Sequence, residues 1–279
     1  MNDIINLAYS PCPNDTYIFA ALTNGLLAEA PRVNVVLLDI DELNDAAAQA
    51  RYPLTKVSYG AIPYLMRDYR LLRSGGALGR GCGPLVVARP DRLKSWAELD
   101  DPLVAIPGER TTAFLLMQLA LGHRPRTRIM RFDAIVDAVA KGEVDAGLII
   151  HESRFTYQNA GLHALRDLGS WWEETTGRPI PLGAILARRD LGHERALAID
   201  AAVRSSLAFA RHDEAAIMPY VRAHAFEMDE SVMRAHIGLY VNDYSIDVGA
   251  DGMLAVDELF ARGRGAGILP DDANAAFIA

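Results

Sequence analysis

The eight residues GLIIHESR, residues 147–154, carry the strongest indication of how this chain folds. Their first half is apolar and typical of a buried strand, and at His151 the run changes to four polar residues. In open α/β sheets, ligands bind at the carboxyl ends of strands. Histidine is also the side chain best suited to move a proton near neutral pH. The segment therefore predicts a strand of an α/β sheet with either a functional or a purely structural histidine at its tip.

Strand-like and helix-like segments alternate on both sides of this run. The predicted strands cover residues 4–9, 33–39, 54–58, 69–72, 84–88, 103–106, 128–132, 146–150 and 182–187. The predicted helices cover residues 16–27, 41–50, 61–68, 111–121, 134–140, 198–211, 214–223, 231–237 and 253–262. This alternation predicts mostly parallel sheet with helices on both faces.

The length of 279 residues is more than most single cores hold, which favours two units. We predict two α/β lobes with a central cleft and two hinge crossings, near 84–88 and 182–187. The larger lobe is then discontinuous, residues 1–88 plus 187–279 with the C-terminal helices, and residues 89–186 form the smaller inserted lobe. The glycine-rich stretch 75–83 is interpreted as a flexible loop lining the cleft. This layout places a ligand in the cleft and permits hinge closure.

Composition excludes several classes of function. The net charge is −8 without a basic run, which argues against nucleic acid but not against a small anionic ligand. The N-terminus shows no signal-peptide pattern, and no apolar run approaches a membrane span. We therefore expect a cytoplasmic protein without a membrane partner. The two cysteines, Cys12 and Cys82, form neither a disulfide framework nor zinc spacing, so we expect both to be buried small residues and predict no metal.

Three further segments place polar groups where predicted strands end. Thr111 and Thr112 follow a Pro-Gly turn at a helix start, which suits either an anion site or a simple N-cap. Lys56 and Ser58 lie at the end of the third strand. They are either cleft residues that contact a ligand, or a solvated lysine and a serine in a turn. Asn14 and Asp15 follow two prolines after the first strand, as cleft residues or as a turn and cap.

The remaining aromatic and histidine residues are assigned structural or surface positions. Trp171 and Trp172 are expected in the core or the cleft wall. The other histidines lie in helical or loop contexts and are expected at the surface; they are His123, His163, His193, His212, His224 and His236.

Seven segments, in order along nearly the whole chain, resemble one family. They are SPCPNDTYIFAAL, PLTKVSYGA, LRSGGALGRGCGPLVVAR, PGERTTAFLL, GEVDAGLIIHESRFTY, DLGSWWEETTGRPIPLGAILARRDLG and YVNDYSIDVG. They are similar to the 1,4-dihydroxy-6-naphthoate synthases of the futalosine route to menaquinone. The resemblance implies a type-2 periplasmic-binding-protein-like fold. It also implies conversion of cyclic dehypoxanthinyl futalosine to 1,4-dihydroxy-6-naphthoate and dihydroxyacetone, without metal or organic cofactor.

The same resemblance assigns roles to residues of this chain. It implies that His151 is the proton acceptor. It implies that two segments bind the carboxylate substrate, namely Lys56, Val57 and Ser58, and Thr111, Thr112 and Ala113. Further residues expected to line the cleft are Asn14, Asp15, Glu152, Ser153 and Arg154.

Two other functions share this fold. A solute-binding receptor for a small carboxylate would share the anion site but would have no need for a histidine base. The sister enzyme, a chorismate dehydratase, is disfavoured by the His-Glu-Ser-Arg run and the SPCPND opening. The sequence leaves oligomeric state, the order of bond breaking, the identity of the general acid and the reactivity of the cysteines undetermined.

Overall fold

Two mixed β-sheets with helices packed against them form the fold. The computed structural model describes residues 4–99, 101–226 and 229–279. Within them the strands are β1 (Ile5–Tyr9), β2 (Val33–Leu37), β3 (Leu54–Ser58), β4 (Tyr69–Leu71), β5 (Ala77–Gly79), β6 (Leu85–Ala88), β7 (Val104–Ile106), β8 (Thr127–Ile129), β9 (Ala146–Ile149), β10 (His163–Asp167) and β11 (Ile180–Arg188).

The helices surround these sheets. In the described ranges they are α1 (Pro13–Thr23), α2 (Ile40–Ala48), α3 (Thr112–Leu121), α4 (Phe132–Lys141), α5 (Ser153–Thr156), α6 (Leu168–Thr176), α7 (His193–His212), α8 (Glu214–His224), α9 (Glu230–Tyr240), α10 (Asp243–Ile246) and α11 (Gly249–Gly265). No helix in the part of the chain that the structure describes is long and apolar enough to cross a membrane.

The strands pair into two separate sheets. The first sheet has the order β2-β1-β3-β11-β4, with β5 also paired to β11, and the second has the order β10-β6-β9-β7-β8. The predicted α/β class is confirmed. The division into lobes at residues 88 and 187 stays a prediction, although by strand pairing β6 belongs with the second sheet and β11 with the first.

The prediction of mostly parallel sheet is wrong. β1 runs parallel to β2 and β3, but β11 runs antiparallel to β3, β4 and β5. Likewise, β7 pairs in parallel with β8 and β9, whereas β6 pairs antiparallel with β9 and β10. Parallel neighbours require a crossover connection, usually a helix. β6 and β11 are the first strands after the chain passes from one sheet to the other, and they run antiparallel to their neighbours, so this constraint does not apply to them.

Local boundaries differ from the predicted ones where glycine, proline or short elements intervene. The first helix begins at Pro13, three residues before its predicted start, because proline is favoured in a first helical turn. The helix predicted at 61–68 is a 3₁₀ turn, Tyr59–Tyr64, containing Pro63. The predicted flexible loop 75–83 contains β5, which pairs with β11. β10, α5, α6 and α10 were not predicted, because each is short or lacks a clear periodicity.

The cysteines and Trp172 are buried in the core, as the sequence predicted. Cys12 and Cys82 are free and buried. Trp172 is fully buried, and its indole Nε1 donates a hydrogen bond to the Pro179 carbonyl at 3.0 Å. A buried tryptophan usually needs such a partner for its N–H group. Trp172 therefore acts as a core residue, as expected.

Candidate functional site

A cavity with about 630 Å³ of space, part of it open to solvent, lies where polar strand ends of both sheets meet. Residues from the first sheet, the second sheet and helix α9 line it. Among the lining residues are Ser10, Asn14, Asp15, Lys56, Ser58, Thr111, Thr112, Ala113, His151, His236 and Tyr240. Most of the predicted site residues are therefore brought together from positions far apart in sequence.

Asp15 and Lys56 form a buried ion pair on the first-sheet side of the cavity. Their side chains are 2% and 4% exposed. Asp15 also accepts hydrogen bonds from Ser10 Oγ at 2.7 Å and from Asn14 Nδ2 at 2.9 Å. A buried charge is tolerated when it is paired and hydrogen-bonded. The cluster thus fixes the Lys56 ammonium group at the cavity wall, and the solvated-lysine alternative is wrong.

The three residues predicted at the end of β3 do not act alike. Lys56 and Ser58 share one face of the strand, and successive strand residues point to opposite faces. Val57 is fully buried in the apolar core and does not belong to the cavity lining. Substrate binding by Val57 stays a prediction, and with its side chain in the core it would have to use its backbone; Ser58 lines the cavity and is held by Asn44.

The two threonines at the start of α3 hold the backbone. Thr111 is the N-cap: its Oγ1 accepts from Phe114 N at 3.2 Å and donates to the Gly108 carbonyl at 2.8 Å. Thr112 Oγ1 accepts from Gly60 N at 3.1 Å and donates to the Leu182 carbonyl at 2.7 Å. Gly60 follows β3 and Leu182 lies in β11, so Thr112 joins the first sheet to the helix after β7.

Replacing Thr112 with valine is expected to loosen this connection. The change keeps the side-chain volume but leaves a backbone N–H and a carbonyl without their partner, which costs about 1–3 kcal/mol of stability. Thermal unfolding of the two proteins measures the loss. Thr175→Val is the matched control, because the exposed Thr175 hydroxyl bonds to Trp171 O within α6. Equal losses for both variants would contradict the bridging role.

His151 stands at the end of β9 in an unusual backbone conformation. Its φ is +57°, a left-handed value that costs a non-glycine residue roughly 1–2 kcal/mol. This turn directs the imidazole to the cavity, where the edge of Phe132 packs at a ring-centroid distance of 4.9 Å. Its Nε2 is buried and has no hydrogen-bond partner among the described residues. The side chain is therefore held in place while one ring nitrogen stays available.

The electrostatic surroundings keep His151 neutral. Burial lowers its pKa from 6.5 to about 4; the Asp15 carboxylate acts to raise this pKa and the Lys56 ammonium to lower it further. Desolvation always disfavours the charged form of a base. An unprotonated imidazole at neutral pH can accept a proton.

This shift makes the stability of the protein depend on pH. The unfolded chain binds a proton at His151 near pH 6.5 and the folded chain only near pH 4, so this contribution to stability is complete above pH 6.5 and decreases as the pH falls through about 4. His151→Asn, which cannot be protonated, should lose less stability than the unsubstituted protein over that interval. Urea unfolding at pH 4.5 and pH 7 tests this, and identical losses would contradict it.

His236 was expected at the surface, and that expectation is wrong. Its side chain is 0% exposed and lines the cavity. Within α9 the buried residues are Met233, His236 and Tyr240, spaced by three and four positions. That spacing is the signal that could have placed His236 on the inner face of the helix. His123, His193 and His212 are exposed as predicted, and His163 and His224 are partly buried.

The residues after His151 do not line the cavity as expected. The lining within the described residues omits Glu152, Ser153 and Arg154. The Arg154 guanidinium donates hydrogen bonds to the Gly83 carbonyl and to the Asp167 carboxylate, each at 2.6 Å. These two bonds connect the glycine-rich stretch to β10. Glu152 is buried behind the cavity, with Oε2 3.8 Å from His236 Nδ1.

Cys12, His151 and Glu152 have the donor types of a metal site. Their donor atoms lie within 4.8 Å of one another. A metal needs the thiolate form of cysteine, yet burial, reinforced by the negative charge of Glu152, raises the pKa of Cys12 well above its usual value. The Lys56 ammonium group also acts on His151, which disfavours a second cation. We therefore assign no metal to this group.

Most of the chain matches a known family. A family model described as menaquinone biosynthesis matches residues 5–265. The chain belongs to this menaquinone biosynthesis family. Two relatives of the chain are both named 1,4-dihydroxy-6-naphthoate synthase. The Streptomyces coelicolor protein is 48% identical over 273 residues, 96% of this chain and 95% of the relative. The Thermus thermophilus protein is 49% identical over 277 residues, 99% of this chain and all of the relative.

Solved structures agree with this family fold. Protein AF1704 from Archaeoglobus fulgidus is 35% identical, with a TM-score of 0.88 over 95% of this chain and 98% of the other. The ligand-binding component of an ABC-type import system from Staphylococcus aureus has a TM-score of 0.72 at 13% identity, over 99% and 96% of the two chains. The second likeness shows the fold alone, and it confirms the periplasmic-binding-protein-like architecture for this family member.

Proposed function

We propose that this chain is a 1,4-dihydroxy-6-naphthoate synthase with His151 as the general base. The reaction is the conversion of cyclic dehypoxanthinyl futalosine to 1,4-dihydroxy-6-naphthoate and dihydroxyacetone, a carbon–carbon lyase reaction of menaquinone biosynthesis. The observation that carries the proposal is the imidazole of His151, which a left-handed turn at the end of β9 directs into the cavity with a buried, unpartnered Nε2 among the described residues. The names of two relatives that are almost half identical give the product.

The cavity suits the carboxylate that this substrate carries. The Lys56 ammonium, whose charge is partly balanced by Asp15, and the amino-terminal end of α3 lie on its wall, and both favour an anion. His151 lines the same cavity at the end of β9, and the charges of Asp15 and Lys56 act on its imidazole. A carboxylate held by Lys56 and α3 would bring the reacting carbons within reach of this base, as general base catalysis requires.

The proposal extends to the setting in which the enzyme acts. We propose a cytoplasmic enzyme that binds a small-molecule carboxylate and needs neither nucleic acid nor a membrane as partner. Closure of two lobes around the substrate would exclude water from the reacting intermediate.

Turnover by the purified chain tests the function against its alternatives. The protein is incubated separately with cyclic dehypoxanthinyl futalosine and with chorismate, and products are identified by mass spectrometry. Formation of 1,4-dihydroxy-6-naphthoate together with dihydroxyacetone from the first substrate supports the proposal. Product from chorismate alone indicates the dehydratase. Tight binding without product from either substrate indicates a receptor, which the solute-binding fold keeps as the second candidate.

Exhaustive chelation is expected to leave the rate unchanged. The reason is that the protonated Cys12 thiol and the nearby Lys56 charge disfavour a metal at the one ligand-type cluster found in the described residues. The rate is measured before and after dialysis against a chelator, with a known zinc enzyme as positive control. A loss that one divalent metal restores would show this prediction to be wrong.

A further inference from the structure

We propose that His236 is a second proton-carrying residue of the cavity, with Nδ1 as its reactive nitrogen. The inference rests on the proposed function and addresses a group that the sequence did not reveal. His236 comes from α9, and its ring faces that of His151 almost in parallel, at an interplanar angle of 17° and a centroid distance of 6.2 Å. Two imidazoles from separate parts of the chain therefore line one cavity.

A chain of hydrogen bonds fixes which nitrogen of His236 carries the hydrogen. Asp15 pairs with Lys56, so its carboxylate only accepts, and Asn14 must turn its NH₂ group toward Asp15. The Asn14 carbonyl oxygen then faces His236 Nε2 at 3.0 Å. Because that oxygen only accepts, Nε2 donates and carries the hydrogen. In the neutral ring, Nδ1 is left with its lone pair.

His236 Nδ1 is buried without a hydrogen-bond partner among the described residues. Its nearest acidic group is Glu152, whose Oε2 lies 3.8 Å away, beyond hydrogen-bond distance. Buried polar atoms are nearly always satisfied, and a catalytic role is one of the established reasons for an exception. The unused lone pair therefore indicates a site for a proton in the reaction, with Glu152 close enough to stabilise the imidazolium.

The charges around His236 support paired roles for the two histidines. Burial lowers the pKa of His236 well below its usual value, and the positive charges of His151 and Lys56 lower it further. The remaining faces meet Asn14, Glu152, Tyr240 and Phe155. Since each protonated imidazole disfavours protonation of the other, the pair takes up at most one additional proton at a time. One histidine can thus accept a proton while the other is neutral, as separate proton-transfer steps require.

The decisive experiment combines kinetics with nitrogen NMR of histidine-labelled full-length protein. His236→Gln should lower kcat about 10²- to 10⁴-fold, change KM less than tenfold and shift the ascending limb of the pH–rate profile, because the two histidines influence each other's protonation. His212→Gln, at an exposed histidine of α7, is the matched control and should behave like the unsubstituted protein. In the unsubstituted protein, His236 should show a protonated Nε2 and an unprotonated Nδ1, and Asn14→Ala should convert it to a mixture of tautomers.

Each outcome decides the inference separately from the proposed function. Normal kcat in a folded His236→Gln variant, or a protonated Nδ1 in the unsubstituted protein, would overturn it. If His236→Gln does not fold, the tautomer measured in the unsubstituted protein and the kinetics of Asn14→Ala still decide. If the unsubstituted protein forms no 1,4-dihydroxy-6-naphthoate, the proposed function is wrong. If the unsubstituted protein forms this product and the His236→Gln variant forms it at the same rate, only the inference about His236 is wrong.

Discussion

Replacing His151 with alanine is expected to lower kcat about 10²- to 10⁴-fold, the usual contribution of a general base. The affinity for substrate should change less than tenfold, because the proposed carboxylate anchor is formed by Lys56 and the start of α3 and not by His151. Steady-state kinetics with a mass-spectrometric product assay measures both parameters. His151→Asn should show the same loss of kcat while it keeps much of the shape and tolerates the left-handed backbone conformation better.

The pH dependence of the rate distinguishes a base from a structural residue. The rate should rise with pH as His151 loses its proton and become level above that point. Because burial lowers the pKa of His151 to about 4, this rise should lie well below pH 6.5. His212→Ala, at an exposed site, should leave the profile unchanged. A folded His151→Ala variant with near-normal kcat would contradict the base assignment, and a variant that unfolds would favour a structural role.

Replacing Lys56 with methionine is expected to lower the free energy of unfolding by about 3–5 kcal/mol. Methionine fills similar space but leaves the Asp15 carboxylate buried without its cation, and the two side chains are only 4% and 2% exposed. The loss comes mainly from that uncompensated charge. Urea unfolding at neutral pH measures it.

Two further variants separate the lost charge pair from lost packing. Lys56→Met combined with Asp15→Asn should recover part of the stability, because no buried charge is then left alone. Lys141→Met removes the exposed i,i+4 pair with Asp137, in which both partners are more than 60% exposed, and should cost at most about 0.5 kcal/mol. A single Lys56→Met variant as stable as Lys141→Met would contradict the importance of the buried pair.

The sequence by itself determined the class of fold and the identity of several cavity residues. Apolar runs of strand length between amphipathic helices predict α/β structure, and the polar residues that end β3 and β9 or begin α1 and α3 predict a site at strand ends. These are local signals: Lys56, Ser58, Thr112 and His151 could be selected because each stands next to a recognisable strand end or helix start.

Only the tertiary structure decided what those residues contact. Lys56 pairs with Asp15, which is forty-one positions away, and Thr112 bonds to Gly60 and Leu182. Both sets of contacts depend on how distant segments of the chain pack together. Val57 and Arg154 show the same limit, since strand alternation and a long-range ion pair turn their side chains away from the cavity. The spacing of Met233, His236 and Tyr240 could have placed His236 on the buried face of α9. That this face meets the cavity, where His236 lies beside His151, was decided by the packing of α9.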